Sequence, residues 1–237
     1  MVLLLRKRWF LPCFAIVLSA VTLVSMLRVP DAVGVSAPQM IPARMDPVFV
    51  LDAGHGGADG GAVSTGGVYE SDINLNVALR LRDVFALLGC DVVMTRSDEA
   101  SLADDPAASL RQQKVSDTQN RVALVNSVAR AQLISIHQNS LPGHPSVHGA
   151  QVFYSATDGS GELAEQIQQA MNKVINIENS KNIKPISRDV YLMNHVTCPA
   201  VLVECGFLSN DSETERLQEA SYQTLLALTI CCSVTES

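Results

Sequence analysis

Basic residues are scarce in most of this 237-residue chain. The formal net charge is −7, but five of the 17 basic residues fall within residues 1–45, together with a single acid. From Asp46 onward the chain carries 12 basic and 23 acidic residues, a net charge of −11. A domain this acidic, without a basic stripe, lacks the surface that binds phosphate backbones, so we exclude nucleic acid as a partner.

Cysteine motifs are also missing. None of the six cysteines forms a C-x-x-C pair, and the five that follow residue 46 are an odd number. Their spacing signals no disulfide framework, and we expect small buried thiols instead. The charged content of 17% against 47% hydrophobic residues argues against disorder and allows one sizeable core.

The N-terminus has the features of an export signal. Three basic residues at 6–8 precede an uncharged run at 9–27, which has 19 residues. A signal peptide has an apolar region of about 7 to 15 residues and a spanning helix needs about 20, so the length favours an uncleaved anchor. The alternative is cleavage near Ala37, after the small-residue sequence VSA. We therefore assign a signal anchor or signal peptide to 1–28, a linker to 29–46 and one domain to 47–235.

Strand and helix patterns alternate along this domain. The predicted strands are 48–53, 90–95, 132–137, 150–155 and 200–205; the predicted helices are 73–88, 117–130, 161–177 and 211–232, with a polar loop at 97–115. Asn210 with Glu213 three residues later is a capping pattern before the last helix. The alternation predicts an α/β fold: a mostly parallel sheet with helices on both faces, in a single domain.

Three apolar strands run into ionisable side chains. The first strand leads into the glycine-rich segment DAGHGGADGG, which contains His55. The third strand ends at His137, and the last strand carries Glu204. Because functional groups of parallel sheets gather at the carboxyl ends of the strands, we expect these side chains to converge on one site.

Two histidines and a carboxylate are a common ligand set for catalytic Zn²⁺. Amide hydrolysis also needs a group that protonates the leaving amine, so a second carboxylate is required. The candidates are Glu70, which follows the glycine loop, and Glu204, which lies in an apolar strand where an unpaired charge is costly. Each residue also has a structural explanation: a helix cap for Glu70, a core position for His137 and an ion pair for Glu204. Spacing alone leaves these roles open.

Five segments together resemble the zinc-dependent N-acetylmuramoyl-L-alanine amidases of bacterial cell walls, amidase family 3. These are DAGHGGADGGAV, YESDINLNVALRLRDVF, VVMTR, ISIHQNS and PAVLVECGFLSNDSE, in the family's order across residues 47–232. The resemblance implies Zn²⁺ as cofactor and the glycan-peptide of peptidoglycan as substrate. It assigns His55, Glu70 and His137 as zinc ligands and Glu204 as the catalytic glutamate.

Other positions carry weaker expectations. Asn139 and Arg121 match recurrent family positions, where they act as substrate contacts or as structural supports. Cys205 replaces an aliphatic residue and Asp211 replaces a proline found in many relatives. Cys205 is expected to face away from Glu204, because neighbouring residues of a regular strand point to opposite faces. The loop histidines, His144 and His148, are expected to be solvated rather than metal ligands.

Within the family, the chain resembles the membrane-anchored type of endospore formers, which removes peptide from muramic acid so that muramic-δ-lactam can form in the cortex. The short single domain, the apolar N-terminus and the segment VYLMNHVTCPAVLVECGFLSN carry this resemblance. Some relatives insert a helix that covers the zinc, but prolines and glycine break residues 138–149 here. We therefore expect control by expression, location or a regulatory protein partner. The alternatives are a metallohydrolase that cuts another bond and a non-catalytic wall-binding module.

The N-terminal pattern generates a first prediction. If residues 9–27 are an uncleaved anchor, the full-length protein will remain in the membrane fraction, with its domain accessible from outside the cytoplasm. Fractionation and N-terminal sequencing of the mature protein measure this. A soluble product that begins at Pro38 or Gln39 would show that the segment is a cleaved signal peptide.

Overall fold

The computed structural model describes residues 46–235. The predicted signal segment at 1–28 and almost all of the linker at 29–46 lie outside this range, so those assignments stay predictions. Within the described range, no helix has both the length and the apolar character required to cross a bilayer.

The described residues form six strands and six helices. The strands are β1 (Val48–Ala53), β2 (Val92–Met94), β3 (Ala131–Asn139), β4 (Gln151–Tyr154), β5 (Lys184–Pro185) and β6 (Ala200–Phe207). The helices are α1 (Glu70–Leu87), α2 (Leu110–Ser127), α3 (Ser160–Val174), α4 (Tyr191–His195), α5 (Asp211–Gln218) and α6 (Ala220–Thr235).

The strands form one sheet in the order β2-β1-β3-β6-β4-β5. All neighbouring pairs are parallel except β4 with β6. The predicted mostly parallel α/β sheet is therefore confirmed. Because β1, β3 and β6 are adjacent, the three strand ends that carry the candidate site residues lie side by side, and His137 is the register partner of Glu204.

Helices cover both faces of the sheet. Helices α1, α3 and α6 enclose the larger core, which includes Phe85, Ile167 and Leu226. Helices α2 and α4 pack on the other face through Val125 and Met193. Each face therefore buries apolar side chains from alternate positions of the central strands, as a doubly covered sheet requires.

Helix α2 is longer at its N-terminus than the sequence predicted. It begins at Leu110, inside the predicted polar loop at 97–115, and it ends at Ser127. Ser109 caps it through a capping box with Gln112, an S-x-x-Q pattern that satisfies free N–H groups at the start of the helix. The predicted start at residue 117 was therefore wrong because this cap was overlooked.

The predicted last helix at 211–232 is two helices. Its predicted cap is confirmed, since the Asn210 side chain accepts a hydrogen bond from the Glu213 N–H at 3.0 Å. The chain then breaks at Glu219, whose ψ of 126° is extended. Helix α5 packs on β6 and α6 packs on α1 and α3, and one straight helix could not contact both. The short elements β5 and α4 were not predicted.

The described cysteines are all free thiols. Cys205 and Cys231 are buried as expected, whereas Cys90 and Cys198 are half-buried and Cys232 is exposed, which corrects the prediction for these three residues. Cys205 lies in the core beneath α1, α3 and α6, while Leu202 lies in the core beneath α2 and α4. The strand alternates faces here as predicted, so the thiol packs away from the candidate site.

Candidate active site

The glycine loop after β1 turns sharply around His55. The φ angle of His55 is 61°, in the left-handed region that non-glycine residues rarely adopt. Strained backbone of this kind persists where surrounding contacts hold it, and it concentrates at functional sites. Gly61 allows the loop to pass close to Glu70. A Cβ at this position would lie 2.6 Å from Glu70 Oε2, too close for any other residue type.

The structure brings His55, Glu70 and His137 together. Each offers one candidate ligand atom, and these atoms lie within 4.8 Å of one another. Nε2 of His55 is 3.2 Å from Glu70 Oε2, and Nδ1 of His137 is 2.9 Å from Glu70 Oε1. Three donors of the types that bind Zn²⁺ thus converge from the glycine loop, α1 and β3.

The Glu70 carboxylate is buried and held by several donors. Its oxygens accept hydrogen bonds from the backbone N–H groups of Ala62 (2.9 Å) and Gln138 (3.1 Å) and from Asn74 Nδ2 (3.2 Å). Burial alone would raise its pKa, but the bonds to His137 and His55 lower it well below the usual range. Glu70 is therefore an oriented anion, which is the form that binds a metal.

Asp59 fixes the orientation of His55. Its Oδ2 is 2.8 Å from His55 Nδ1, which leaves Nε2 directed at Glu70. Metal-binding histidines commonly donate their second ring nitrogen to a carboxylate in this way. Burial would lower the pKa of His55, but its bonds to Asp59 and Glu70 raise it to about 9. The His–Glu–His donors, with Asp59 holding His55 in place, fit a divalent metal. Such a metal would compete with a proton for Nε2 of His55.

Glu204 lies beside this cluster but outside it. The side chain is half-buried, and its Oε2 atom is enclosed with no hydrogen-bond partner among the described residues. Burial raises the pKa of Glu204 to about 7, although the charge of His137 opposes the shift. A buried polar atom without a partner is costly unless another group occupies the site, so this oxygen points to a bound molecule.

Arg121 of α2 is almost fully buried and bonds to residues that lead into the site. It pairs with Asp52 (2.6 Å) and Asp117 (2.9 Å). It also donates to the carbonyls of Ala53 (2.8 Å) and His55 (2.6 Å). Of the two roles predicted for Arg121, the geometry favours structural support over substrate contact.

Several supporting residues were missed in the sequence. Arg96 donates to the carbonyls of Ala53, Gly54 and Ser71, all at 2.9 to 3.0 Å. In the sequence, Arg96 was noted only as the last residue of the segment VVMTR, with no role assigned to it. Asn74 could have been found from its position four residues after Glu70, which places both on one face of α1.

The remaining predicted positions lie near the site or away from it. Asn139 ends β3, and its carbonyl accepts a hydrogen bond from the Leu208 N–H, so its role in substrate binding stays a prediction. His144 and His148 lie in the loop at 140–149, which forms turns rather than a helix, and neither belongs to the His–Glu–His cluster.

A cavity of about 300 Å³ opens beside the cluster. Both His55 and His137 line it, and residues of α2 and α4 form its outer wall. The cavity allows a substrate to approach the two histidines from the side of the sheet covered by α2 and α4.

An α/β domain with a candidate metal cluster and a neighbouring half-buried carboxylate at the carboxyl edge of its sheet is an arrangement typical of metallohydrolases. Residues 49–236 match the N-acetylmuramoyl-L-alanine amidase family, Amidase_3, and the chain belongs to this family. It is accordingly an enzyme, a hydrolase that acts on an amide bond of peptidoglycan.

Individual relatives agree with this assignment. The chain is 39% identical over 184 residues to the germination-specific N-acetylmuramoyl-L-alanine amidase of Bacillus subtilis (strain 168), covering 77% of this chain and 76% of that protein. It superposes on the CwlD amidase of Clostridioides difficile, solved in complex with the GerS lipoprotein, with a TM-score of 0.76 and 34% identity. That match covers 81% of this chain and 98% of the chain in that structure.

A more distant structure shares the fold. The catalytic domain of CwlV, an N-acetylmuramoyl-L-alanine amidase from Bacillus (Paenibacillus) polymyxa var. colistinus, superposes with a TM-score of 0.68 at 28% identity. The match covers 81% of this chain and 97% of that chain. The fold of this chain therefore matches nearly the full length of that solved catalytic domain.

The packing of Gly54 generates a second prediction. A Cβ at Gly54 would lie 2.3 Å from Nε2 of His137, so Gly54→Ala will push the imidazole out of position. We expect metal affinity and activity to fall by about 10- to 100-fold, a size typical of groups that support a metal ligand. Metal titration and turnover on peptidoglycan measure the two effects.

The matched control is Gly161→Ala in α3, where an added Cβ meets open space. This variant will retain metal affinity and activity, with stability unchanged or slightly raised because alanine favours helices. Wild-type metal affinity in Gly54→Ala would show that His137 has room to move and is not held by this contact.

Proposed function

We propose that this amidase is zinc-dependent and cleaves the bond between the lactyl group of N-acetylmuramic acid and L-alanine. The observation that carries the proposal is the convergence of His55, Glu70 and His137 next to Glu204, whose enclosed Oε2 atom has no hydrogen-bond partner among the described residues. Two histidines and one carboxylate favour zinc over harder cations, which prefer oxygen ligands alone.

In this proposal His55, Glu70 and His137 hold the metal. Bound zinc polarises a carbonyl and lowers the pKa of water toward neutrality. Glu204 is the general base and acid: its carboxylate removes a proton from the attacking water and delivers it to the departing L-alanine nitrogen. The raised pKa of Glu204, about 7 as a result of burial, suits a group that must both accept and release a proton near neutral pH.

Asp59 and Arg121 position these groups. Asp59 keeps the Nδ1 proton of His55 on the side away from Glu70. Arg121 fixes the strained backbone at His55 through its carbonyl. These residues act through the ligands and need no contact with the substrate.

We further propose a role in the spore cortex, with the domain of residues 47–235 tethered outside the cytoplasmic membrane by residues 1–28. The similarity to the germination-specific amidase of Bacillus subtilis supports the cortex role. A regulatory protein partner is part of the proposal, since CwlD was solved with the GerS lipoprotein. Removal of the peptide would prepare muramic acid for closure of muramic-δ-lactam.

A different metallohydrolase activity, cleavage within the peptide, would use the same ligands. Mass spectrometry of peptidoglycan digested by the enzyme, with and without a chelator, separates the two. Only the amidase releases peptides with a new L-alanine N-terminus and leaves the glycan intact.

The two glutamates generate a third prediction. Glu70→Ala removes a ligand, so zinc and activity will both be lost. Glu204→Gln keeps the size of the side chain and removes the base, so zinc will stay at about one per chain while turnover falls by about 10²- to 10⁴-fold. Zinc by atomic emission, folding by circular dichroism and turnover on peptidoglycan fragments measure these effects.

The two variants control for each other, because each changes one carboxylate of the same site. Loss of zinc from folded Glu204→Gln would mean that Glu204 is a ligand. Near-normal turnover of that variant would exclude Glu204 as the base.

The cortex role generates a fourth prediction. Cortex from a strain that lacks this gene will contain no muramic-δ-lactam, while its vegetative wall will be normal. Chromatography of digested cortex measures the lactam, and complementation with the Glu204→Gln variant, which keeps the protein present, is the control. Unchanged lactam in the deletion strain would remove the cortex role and leave the amidase activity standing.

A further inference from the structure

A second concave surface adjoins the active-site cavity. This groove, of about 430 Å³, lies along the start of α2 and against Tyr191 of α4. It shares Lys114, Thr118 and Tyr191 with the cavity beside His55 and His137, so the two spaces lie next to each other. A substrate longer than the bond that is cut would extend from the cavity into this groove.

The groove is basic and apolar, unlike the rest of the domain. Arg111 and Lys114 line it and no acidic residue does, although acids outnumber bases about two to one from Asp46 onward. Its apolar surface comes from side chains that are 41% to 52% exposed: Leu110, Val115 and Tyr191. The groove therefore suits a ligand with an anionic group on an alkyl or peptide framework.

The cavity is lined by four acidic residues together with Lys114 and Arg121: Asp52, Asp59, Asp117 and Asp189. Arg121 is buried and already paired with Asp52 and Asp117. A substrate carboxylate would therefore find its cationic partner at Lys114, on the side of the cavity that adjoins the groove.

Lys114 stands where the two spaces meet. Its Nζ is 2.8 Å from Asp59 Oδ1, and its side chain is about half exposed. An ammonium group can donate three hydrogen bonds, so the bond to Asp59 leaves capacity for a second anionic partner. Arg111 lies one helical turn earlier on α2, on the same side of the groove.

We propose that Lys114 is a specificity-determining residue, which binds a free carboxylate of the stem peptide beyond L-alanine while that peptide lies in the groove. This inference rests on the proposed cleavage next to L-alanine, and it assigns the peptide side of that bond, rather than the glycan, to the groove. The enzyme then distinguishes stem peptides whose second residue keeps its α-carboxylate from those in which this group is amidated.

The test compares two muramoyl tripeptides that differ only in this group, a free α-carboxylate or its amide on the residue after L-alanine. The zinc-loaded wild-type enzyme will cleave the acid with a kcat/KM roughly two- to fivefold higher, the range expected for a partly exposed ion pair. The difference will appear mainly in KM and will shrink as ionic strength rises, because salt screens exposed charges.

Lys114→Met keeps the length of the side chain and removes its charge, so the ratio of the two kcat/KM values will fall to about one. Lys114→Arg will retain the preference. The matched control is Lys173→Met in α3, on the other face of the sheet, which makes the same change in net charge and will leave the ratio unchanged.

The outcomes separate the proposals. If Lys114 acts only by holding Asp59 and His55, Lys114→Met will slow both substrates equally and keep the ratio, and this overturns the inference. Equal cleavage of both substrates by the wild type also overturns it. If the wild type cleaves neither at the L-alanine bond, the proposed activity itself fails.

Discussion

The buried charge of Glu70 is the constraint on which the rest of the site depends. An ionised carboxylate costs several kcal/mol to bury unless hydrogen bonds and opposite charges compensate for it. Here the compensation comes from the glycine loop through Ala62 and His55, and from β3 through His137 and Gln138. One carboxylate thus holds both the neighbouring glycine loop and β3, whose His137 is 67 residues away in sequence. Glycine is required at position 61 because the chain passes too close to this carboxylate for a Cβ.

At the end of β1 the buried groups that need partners are backbone carbonyls, and buried cations satisfy them. The chain leaves the sheet there, so the carbonyls of Ala53, Gly54 and His55 need other donors. Two buried guanidinium groups, those of Arg96 and Arg121, supply these donors. A guanidinium suits this task because it presents five N–H donors in a rigid plane. Asp52 and Asp117 form ion pairs with Arg121 and offset the cost of burying its positive charge. The guanidinium that supports His55 therefore has its own anionic partners.

The sheet could be predicted from the sequence because local patterns mark its strands, and so could the approach of the candidate site residues to one another. Their roles came from the family resemblance and stay predictions. Apolar strands that end at His55, His137 and Glu204 indicate one edge of a parallel sheet, and the structure places them there. The supports could not be predicted in the same way. Arg121 and Asp52 are 69 residues apart, and no period in the sequence connects them. Lys114 was assigned to a loop rather than to α2 for another reason: the helix cap at Ser109 was overlooked.

The same pair of side chains, Glu70 and Glu204, shows how environment divides two tasks. Both carboxylates lie at one edge of the sheet and both are removed from water to a large extent. Burial would raise the pKa of Glu70, but its bonds to His137 and His55 lower it, so the group stays anionic. Glu204 has an enclosed oxygen without a donor, so its anionic form is poorly stabilised and its pKa is raised to about 7. Two titratable groups whose surroundings shift their pKa values in opposite directions are the arrangement expected of a ligand and a proton carrier. The division therefore depends on the partners of each carboxylate: Glu70 contacts His55 of the glycine loop and His137 of β3, whereas Oε2 of Glu204 has no hydrogen-bond partner among the described residues.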